Sequence, residues 1–322
     1  MLSQRANRNL EISSSNMLFV GMKAASSNAY DRDSNMSGII NMGVAENALM
    51  SSEVISQVHL DVRASDLGYG SFRGSSRLRF EVASLMNRRH GLGATRLELS
   101  ANHVAIGNGA GSVVASVAHI LADENDAILV PAPVYGAFRS DLLANAGVTA
   151  VFVNAKDSLP NPTGKVVPLS LLKEWIEWAH ARNLHCIVDE VYIICIRSTM
   201  DVDPLRTHII WSFSKDFCLN GIRAGALISK NQQVLDAYNE LAYFHGIPSI
   251  DRFTKTNYER LRDSFELSGS LILFHKFLDG GLYIAPSEAF FCDPAGPDAS
   301  RFRINVPLGL DRMMKVLDQI ID

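Results

Sequence analysis

Residues 211–225 read Trp-Ser-Phe-Ser-Lys-Asp-Phe-Cys-Leu-Asn-Gly-Ile-Arg-Ala-Gly. The lysine of this run stands among small and hydroxyl-bearing residues, and an arginine follows it eight positions later. Lys215 is able to form a Schiff base with an aldehyde, while Ser212, Ser214 and Arg223 are able to bind a phosphate group. Two glycines let backbone and ligand approach closely, because they carry no Cβ. Taken alone, the run is equally consistent with a strand that ends in an ordinary surface turn.

An aldehyde and a phosphate occur together in pyridoxal 5'-phosphate, so the run predicts an enzyme that uses this cofactor. A second phosphate-binding place is indicated at Gly109-Ala110-Gly111-Ser112, between a predicted strand and a predicted helix. Free N–H groups and the helix dipole favour an anion at such a junction, and Ala110 and Gly111 are the candidate contacts. Glycine-rich junctions are common in α/β proteins, which makes this pattern weak by itself.

Polar residues at the end of a buried strand are candidates for binding the cofactor ring. Asp189 closes an apolar strand, where a carboxylate is costly unless a cation such as a protonated pyridine nitrogen meets it. Tyr192 and Asn161 are candidate donors to the ring oxygen, and Tyr135 offers an aromatic face for stacking. The alternatives are a helix-capping or surface aspartate, tyrosines in a core, and an asparagine in a turn.

Composition sets limits on the function. The chain has 322 residues, of which 47% are hydrophobic and 20% charged, with a formal net charge of −4. This profile is typical of a globular enzyme and argues against nucleic acid or a membrane surface as the main partner. The four cysteines show no CxxC spacing and the histidines no HExxH spacing. We therefore expect reduced thiols, no metal site and a cytoplasmic location.

Strand and helix patterns alternate along the chain, which predicts an α/β fold with a mostly parallel central sheet flanked by helices. The predicted strands cover residues 103–107, 127–130, 185–188 and 209–213. The predicted helices cover residues 74–90, 113–121 and 169–183. Residues 1–40 are polar and are expected to form an N-terminal arm with one short helix at 14–25.

In their order, these residues resemble the fold-type I pyridoxal-phosphate enzymes, in particular aminotransferase class I/II and its 1-aminocyclopropane-1-carboxylate (ACC) synthase-like branch, including fungal members. The stretches that carry the resemblance are residues 41–49, 122–135, 161–164, 188–192 and 212–225. Residues 285–290 and 301–305 look like the C-terminal region that binds the substrate carboxylate. The resemblance implies a large cofactor-binding domain over 41–245 and a smaller C-terminal α+β domain over 246–322, packed with part of the N-terminal arm.

The resemblance also implies roles for single residues. Lys215 would hold the cofactor and move the proton at the substrate α-carbon, with Asp189 at the ring nitrogen and Asn161 and Tyr192 at the ring hydroxyl. The other implied contacts are stacking by Tyr135, phosphate binding by Ala110, Gly111, Ser212, Ser214 and Arg223, a Tyr69 that reaches across from a partner subunit, an Arg303 that clamps the α-carboxylate, and a Glu46 near the substrate. A homodimer acting on a small amino-acid substrate is implied.

Two departures from the family pattern shorten this chain. Only eight residues separate Phe152 from Asn161, where the family has a helix and a further strand, and residues 262–272 replace a longer stretch. Loss of a strand would expose sheet edges. Three functions stay open: aminotransferase or ACC synthase-like chemistry in amino-acid or secondary metabolism, a carbon–sulfur lyase, and a truncated non-catalytic protein.

Overall fold

The computed structural model describes residues 1–46, 51–57, 68, 70–90, 98–155, 167–192 and 202–245. Its helices are α1 (Gln4–Ser15), α2 (Met17–Ser27), α3 (Ser51–Gln57), α4 (Ser76–His90), α5 (Ala110–Leu121), α6 (Phe138–Ala146), α7 (Leu169–His180), α8 (Phe213–Asp216) and α9 (Gln232–His245). Two 3-10 turns cover Ala101–His103 and Asn220–Ile222. Its strands are β1 (Val104–Gly107), β2 (Ala127–Ala132), β3 (Thr149–Asn154), β4 (Cys186–Asp189), β5 (Thr207–Ser212) and β6 (Gly225–Ile228).

The described strands form two sheets. One has four strands in the order β1-β6-β5-β4, in which β6 runs antiparallel to both β1 and β5, and β4 runs parallel to β5. The other consists of β2 and β3 in parallel. In the larger sheet β1, β5 and β4 therefore share one direction, and their carboxyl ends lie at one edge. The α/β class and the prevailing parallel direction are confirmed.

Helices cover both faces of the four-stranded sheet. On one face, α4 packs Leu78 and Met86 against Ile209 and Trp211 of β5. The opposite face packs on α5 and α9, and this second cluster also takes in Val130 of β2. The two sheets therefore share one apolar core, because a single cluster reaches from β5 and β6 to β2.

The N-terminal arm forms two helices: α2 corresponds to the short helix expected at 14–25, whereas α1 was not expected. Ser3 caps α1 by accepting the Ala6 N–H at 3.2 Å, and Asn16 caps α2 by accepting the Leu18 N–H at 3.0 Å. Hydrogen bonds to α6 hold α1 in place, among them Asn9 Nδ2 to Ala144 O at 3.2 Å. The polar composition of α1 conceals it, because its helix is fixed by caps and contacts rather than by a wide apolar face.

The predicted elements agree with the structure to within a few residues. The sequence patterns did not single out β3, β6, α6 or α9, which complete the two sheets and cover one face. The predicted C-terminal domain, residues 246–322, lies outside the described residues, and the proposed domain boundaries remain predictions. None of the helices in the described ranges has the length and apolar character that a membrane crossing requires.

Candidate active site

Lys215 lies just beyond the carboxyl end of β5, in the one-turn helix α8. Ser212 caps this helix by accepting the Ser214 N–H at 3.1 Å. A buried hydrogen bond also ties the helix to β5, because Trp211 Nε1 donates to Asp216 Oδ2 at 2.8 Å and both side chains are buried. The cap and this hydrogen bond therefore fix the helix that carries Lys215 at the carboxyl end of β5.

The glycine-rich junction predicted from the sequence adjoins Arg223. Gly109 caps α5 with φ +87°, and a Cβ built on it would lie 2.5 Å from Arg223 Nη2. A Cβ on Gly225 would lie 2.6 Å from the Gly109 carbonyl carbon and 2.8 Å from Ala110 N. The guanidinium therefore sits against the amino end of α5, next to the predicted contacts Ala110 and Gly111. A cation beside free helix N–H groups forms a site for a dianionic phosphate.

The two serines of the predicted phosphate site already make hydrogen bonds within the protein. Ser212 is buried, and its hydroxyl donates to Ala224 O at 3.0 Å and lies 2.8 Å from the Ser214 hydroxyl. Ser214 is only half-buried. Ser214 is hence the better placed of the two to meet a ligand, and phosphate binding by Ser212 remains a prediction.

Two carboxyl groups follow one another at the end of β4. Asp189 Oδ1 accepts the Val191 N–H at 3.3 Å, and burial, together with nearby Asp141, raises the pKa of Asp189 to about 7. Glu190 is fully buried, and neither of its carboxyl oxygens has a hydrogen-bond partner among the described residues. Burial raises the pKa of Glu190 to about 8, and the Asp189 and Asp216 carboxyls add to that effect. A ring cation next to Asp189 would relieve part of this cost.

Asp189 and Lys215 belong to neighbouring parallel strands. Asp189 pairs with Ile210 in the β4–β5 register, and Lys215 lies five residues further along from Ile210. Because parallel strands have their carboxyl ends at the same end of the sheet, Asp189 and Lys215 both lie at that end. Tyr192 is partly buried in the turn after β4.

Tyr135 lies after β2 and is 41% exposed, with its ring 5.5 Å from that of Phe138 in an edge-to-face arrangement. Stacking of its ring on a ligand remains a prediction. Three of the predicted contacts, Tyr69, Asn161 and Arg303, lie outside the described residues.

A turn from the start of the predicted large domain covers the lysine. Ala45 O accepts hydrogen bonds from Lys215 Nζ at 2.5 Å and from Asn220 Nδ2 at 3.1 Å. Glu46, the predicted substrate contact, follows directly and is exposed. The sequence analysis did not nominate Asn220, because an asparagine before a glycine is typical of an ordinary turn.

A cavity of about 440 Å³ lies beside the amino end of α5 and Arg223. Gly111, Ser112 and Arg223 line it from one side, and α1, α2 and α6 close the other. Asp141 of α6 faces Gly111, and burial raises the pKa of Asp141 to about 6. No group of three or more His, Cys, Asp or Glu side chains in the described ranges is arranged to hold a metal ion.

These residues fit a cofactor with an aldehyde, a phosphate and a basic ring nitrogen. The Lys215 amine lies beyond the carboxyl end of β5, and the Arg223 guanidinium lies against Gly109, where a Cβ would not fit. The partly buried Asp189 carboxyl, whose pKa is raised, would be stabilised in its charged form by a nearby cation. The fold and the site define the class of fold-type I pyridoxal-phosphate proteins.

Comparison with known proteins supports this class. The family model of aminotransferase class I and II matches residues 37–159 and 155–249. The chain belongs to this family, which implies pyridoxal 5'-phosphate as the cofactor. The two matched segments meet at residues 155–159, inside the short stretch between Phe152 and Asn161.

Individual relatives place the chain in the ACC synthase-like branch. The 1-aminocyclopropane-1-carboxylate synthase-like protein 1 of Homo sapiens is 30% identical over 286 residues, which are 73% of this chain and 56% of that protein. A probable inactive 1-aminocyclopropane-1-carboxylate synthase-like protein 2 of Mus musculus is 28% identical over 287 residues, 73% of this chain and 49% of that protein. The chain thus spans about half the length of these relatives.

A solved structure of similar fold is the aspartate aminotransferase of Thermotoga maritima. It superposes with a TM-score of 0.71 at 20% identity, covering 99% of this chain and 98% of that chain. At this identity the likeness shows the fold.

Proposed function

We propose that this protein is a pyridoxal-phosphate enzyme that acts on an α-amino acid, with aminotransferase or ACC synthase-like chemistry. The observation that carries the proposal is the convergence of Lys215, Asp189 and the Gly109–Arg223 contact at one edge of the sheet. When bound, the cofactor supplies an aldehyde that links to amines and a ring that withdraws electrons from the substrate α-carbon.

Each side chain has one task in this proposal. Lys215 Nζ holds the cofactor and then takes the proton from the substrate α-carbon, as the general base. The Asp189 carboxylate keeps a proton on the ring nitrogen, which maintains the ring as an electron sink. Arg223 and the N–H groups of Ala110 and Gly111 hold the phosphate, while Tyr135 stacks on the ring.

The remaining contacts complete the substrate side. Tyr192 and Asn161 would donate to the ring hydroxyl, Arg303 would clamp the α-carboxylate, and Glu46 would approach the substrate. Tyr69 would come from a second copy of the chain, so we propose a homodimer. A cytoplasmic location and a role in amino-acid or secondary metabolism remain predictions.

Two other functions have support of their own. A carbon–sulfur lyase would use the same lysine and ring and then expel a sulfur group, since removal of the α-proton is common to both reactions. A non-catalytic role is favoured by the short segment after Phe152 and by relatives named as probable inactive.

Borohydride reduction tests the proposal. Purified protein incubated with pyridoxal 5'-phosphate should be yellow, and reduction should fix the cofactor on Lys215, as read by peptide mapping. Lys215→Ala should abolish the label, whereas the control Lys230→Ala should keep it. Absence of any label, or a label on another lysine, contradicts the proposal. Incubation with several amino acids, measuring pyruvate, ammonia and pyridoxamine phosphate separately, distinguishes elimination from amino transfer and from no reaction.

A further inference from the structure

One carbonyl oxygen in this site receives two side-chain donors. Ala45 O accepts from Lys215 Nζ and from Asn220 Nδ2, across sequence separations of 170 and 175 residues. A carbonyl oxygen has two lone pairs and so accepts both bonds at once. Two hydrogen bonds, one from Lys215 and one from Asn220, therefore hold the Ala45–Glu46 turn against the segment that carries the lysine.

Asn220 is also joined to the phosphate end of the site. Arg223 Nη1 donates to Asn220 O at 2.9 Å. Through its main chain and its side chain, Asn220 thus connects the arginine against α5 with the turn that precedes Glu46.

The Asn220 side chain uses only one of its two polar atoms in this contact. Asn220 Oδ1 is buried and has no hydrogen-bond partner among the described residues. A buried amide oxygen without a partner costs free energy, which offsets part of what the Nδ2 bond to Ala45 O contributes. This points to a role in the site.

We infer that Asn220 is a positioning residue that keeps the Ala45–Glu46 turn in place while Lys215 Nζ is engaged elsewhere. The inference rests on the proposed function, in which Nζ must leave Ala45 O to hold the cofactor and to move the substrate proton. The Asn220 amide takes no part in proton transfer, and its bond to Ala45 O persists. Glu46 then keeps its place beside the substrate whatever the state of the lysine.

Hydrogen exchange of the turn tests this without cofactor. The reporters are the Gly43 amide, which donates to Asn41 Oδ1, and the Glu46 amide, which donates to Val44 O, each at 3.0 Å. Lys215→Ala and Asn220→Ala should each speed exchange by about fivefold or less, the worth of one hydrogen bond. The double variant should speed exchange by more than about 20-fold, because no side-chain donor then holds the carbonyl. Asn220→Leu, which keeps the approximate shape without a donor or a charge, should behave as Asn220→Ala. A double variant that exchanges no faster than Lys215→Ala overturns the inference.

A second series commits Nζ covalently, by borohydride reduction in the presence of pyridoxal 5'-phosphate. The reduced wild-type chain should retain slow exchange at Gly43 and Glu46, whereas reduced Asn220→Ala should exchange as fast as the cofactor-free double variant. The Tm and the cofactor content of Asn220→Ala should match those of the wild-type chain. A lowered Tm with faster exchange throughout the protein would mean that Asn220 is merely structural, and overturns the inference. If reduction fixes no cofactor, the proposed function fails, while the cofactor-free series still decides the role of Asn220.

Discussion

The guanidinium of Arg223 lies so close to Gly109 that a Cβ on Gly109 would come within 2.5 Å of Nη2. Gly109 also has φ +87° and ψ 163°, a conformation that residues with a Cβ hardly adopt. One residue thus needs to be glycine for two reasons, the path of its own backbone and the position of the arginine.

Gly109→Ala should therefore displace Arg223 and weaken the binding of pyridoxal 5'-phosphate by about 10- to 100-fold, the worth of one charge-assisted contact. The backbone strain should lower the free energy of unfolding by about 1–3 kcal/mol. Titration of the cofactor by absorbance and urea unfolding measure the two effects. The control is Gly21→Ala in α2, where a Cβ meets nothing within 4 Å and a helical alanine should be neutral or stabilising. An unchanged cofactor Kd in Gly109→Ala would refute the placing of the phosphate.

Asp189→Asn should keep the fold and much of the cofactor but lower turnover by roughly 100-fold, because the ring nitrogen loses the charge that keeps it protonated. If Asp189 served only its bond to the Val191 N–H, the change would alter stability little and leave turnover intact, because an asparagine Oδ1 accepts the same bond. The matched control is Asp126→Asn, since Asp126 Oδ2 accepts the Asp123 N–H at 2.9 Å in a comparable turn. Turnover and urea unfolding of both variants separate the two roles.

Local patterns reveal what a segment forms, and the sequence was informative where such patterns exist. The apolar run before Asp189 and the glycine-rich start of α5 predicted elements that the structure contains. Asn220 was missed because its partner, Ala45, lies 175 residues away and neither residue type marks a site. The helix α1 was missed for a related reason, since its contacts to α6 come from sequence-distant residues. Long-range contacts of ordinary residues leave no periodic trace in a single sequence.

Glu190 makes the stability of the chain depend on pH. Its pKa is raised to about 8 by burial, whereas an unfolded chain would have its ordinary value near 4.3. The folded state therefore retains a proton that the unfolded state releases, and stability falls as the pH rises from about 4.3 to about 8. The slope from this group is at most about 1.4 kcal/mol per pH unit.

Glu190→Gln should accordingly flatten the fall of unfolding free energy between pH 5.5 and pH 8, a range that lies inside this window. Urea unfolding at three or more pH values gives the slope. A residual slope should remain, because burial also raises the pKa of Asp189 and of Asp141. The control Glu177→Gln removes an exposed carboxyl of α7 and should leave the slope unchanged. A Glu190→Gln slope equal to that of the wild-type chain would show that this carboxyl ionises alike in both states.

In the part of the chain that the structure describes, the β2–β3 sheet has an exposed apolar face. Strand β3 contains Phe152, where the segment that is shorter than in the family begins. Leu129 is 51% exposed, and Val151 and Val153 are 41% and 51% exposed. The register pairs Leu129 with Val151, so the three side chains share one face, while residues 128, 130, 150 and 152 turn inward. Among the described strands, β2 pairs only with β3 and β4 only with β5, so each sheet also has an edge that none of them pairs. Both features are what the loss of a helix and a strand between Phe152 and Asn161, predicted from the family pattern, would leave behind.

An insert of family length between Phe152 and Asn161, taken from the human relative, should cover this face and raise both Tm and activity. Burying roughly half of three aliphatic side chains contributes about 3 kcal/mol, which corresponds to roughly 5 °C in a chain of this size. Without the insert, the chain should associate beyond a dimer as concentration rises, because exposed edges and apolar faces pair with one another. The triple variant Leu129→Thr, Val151→Thr and Val153→Thr keeps the strand preference but removes much of the exposed apolar surface. It should reduce this association, measured by light scattering, without restoring activity. If the unmodified chain is instead a stable, fully active dimer that the insert destabilises, the short segment is an adaptation of a working enzyme, and the case for a weakened catalyst fails.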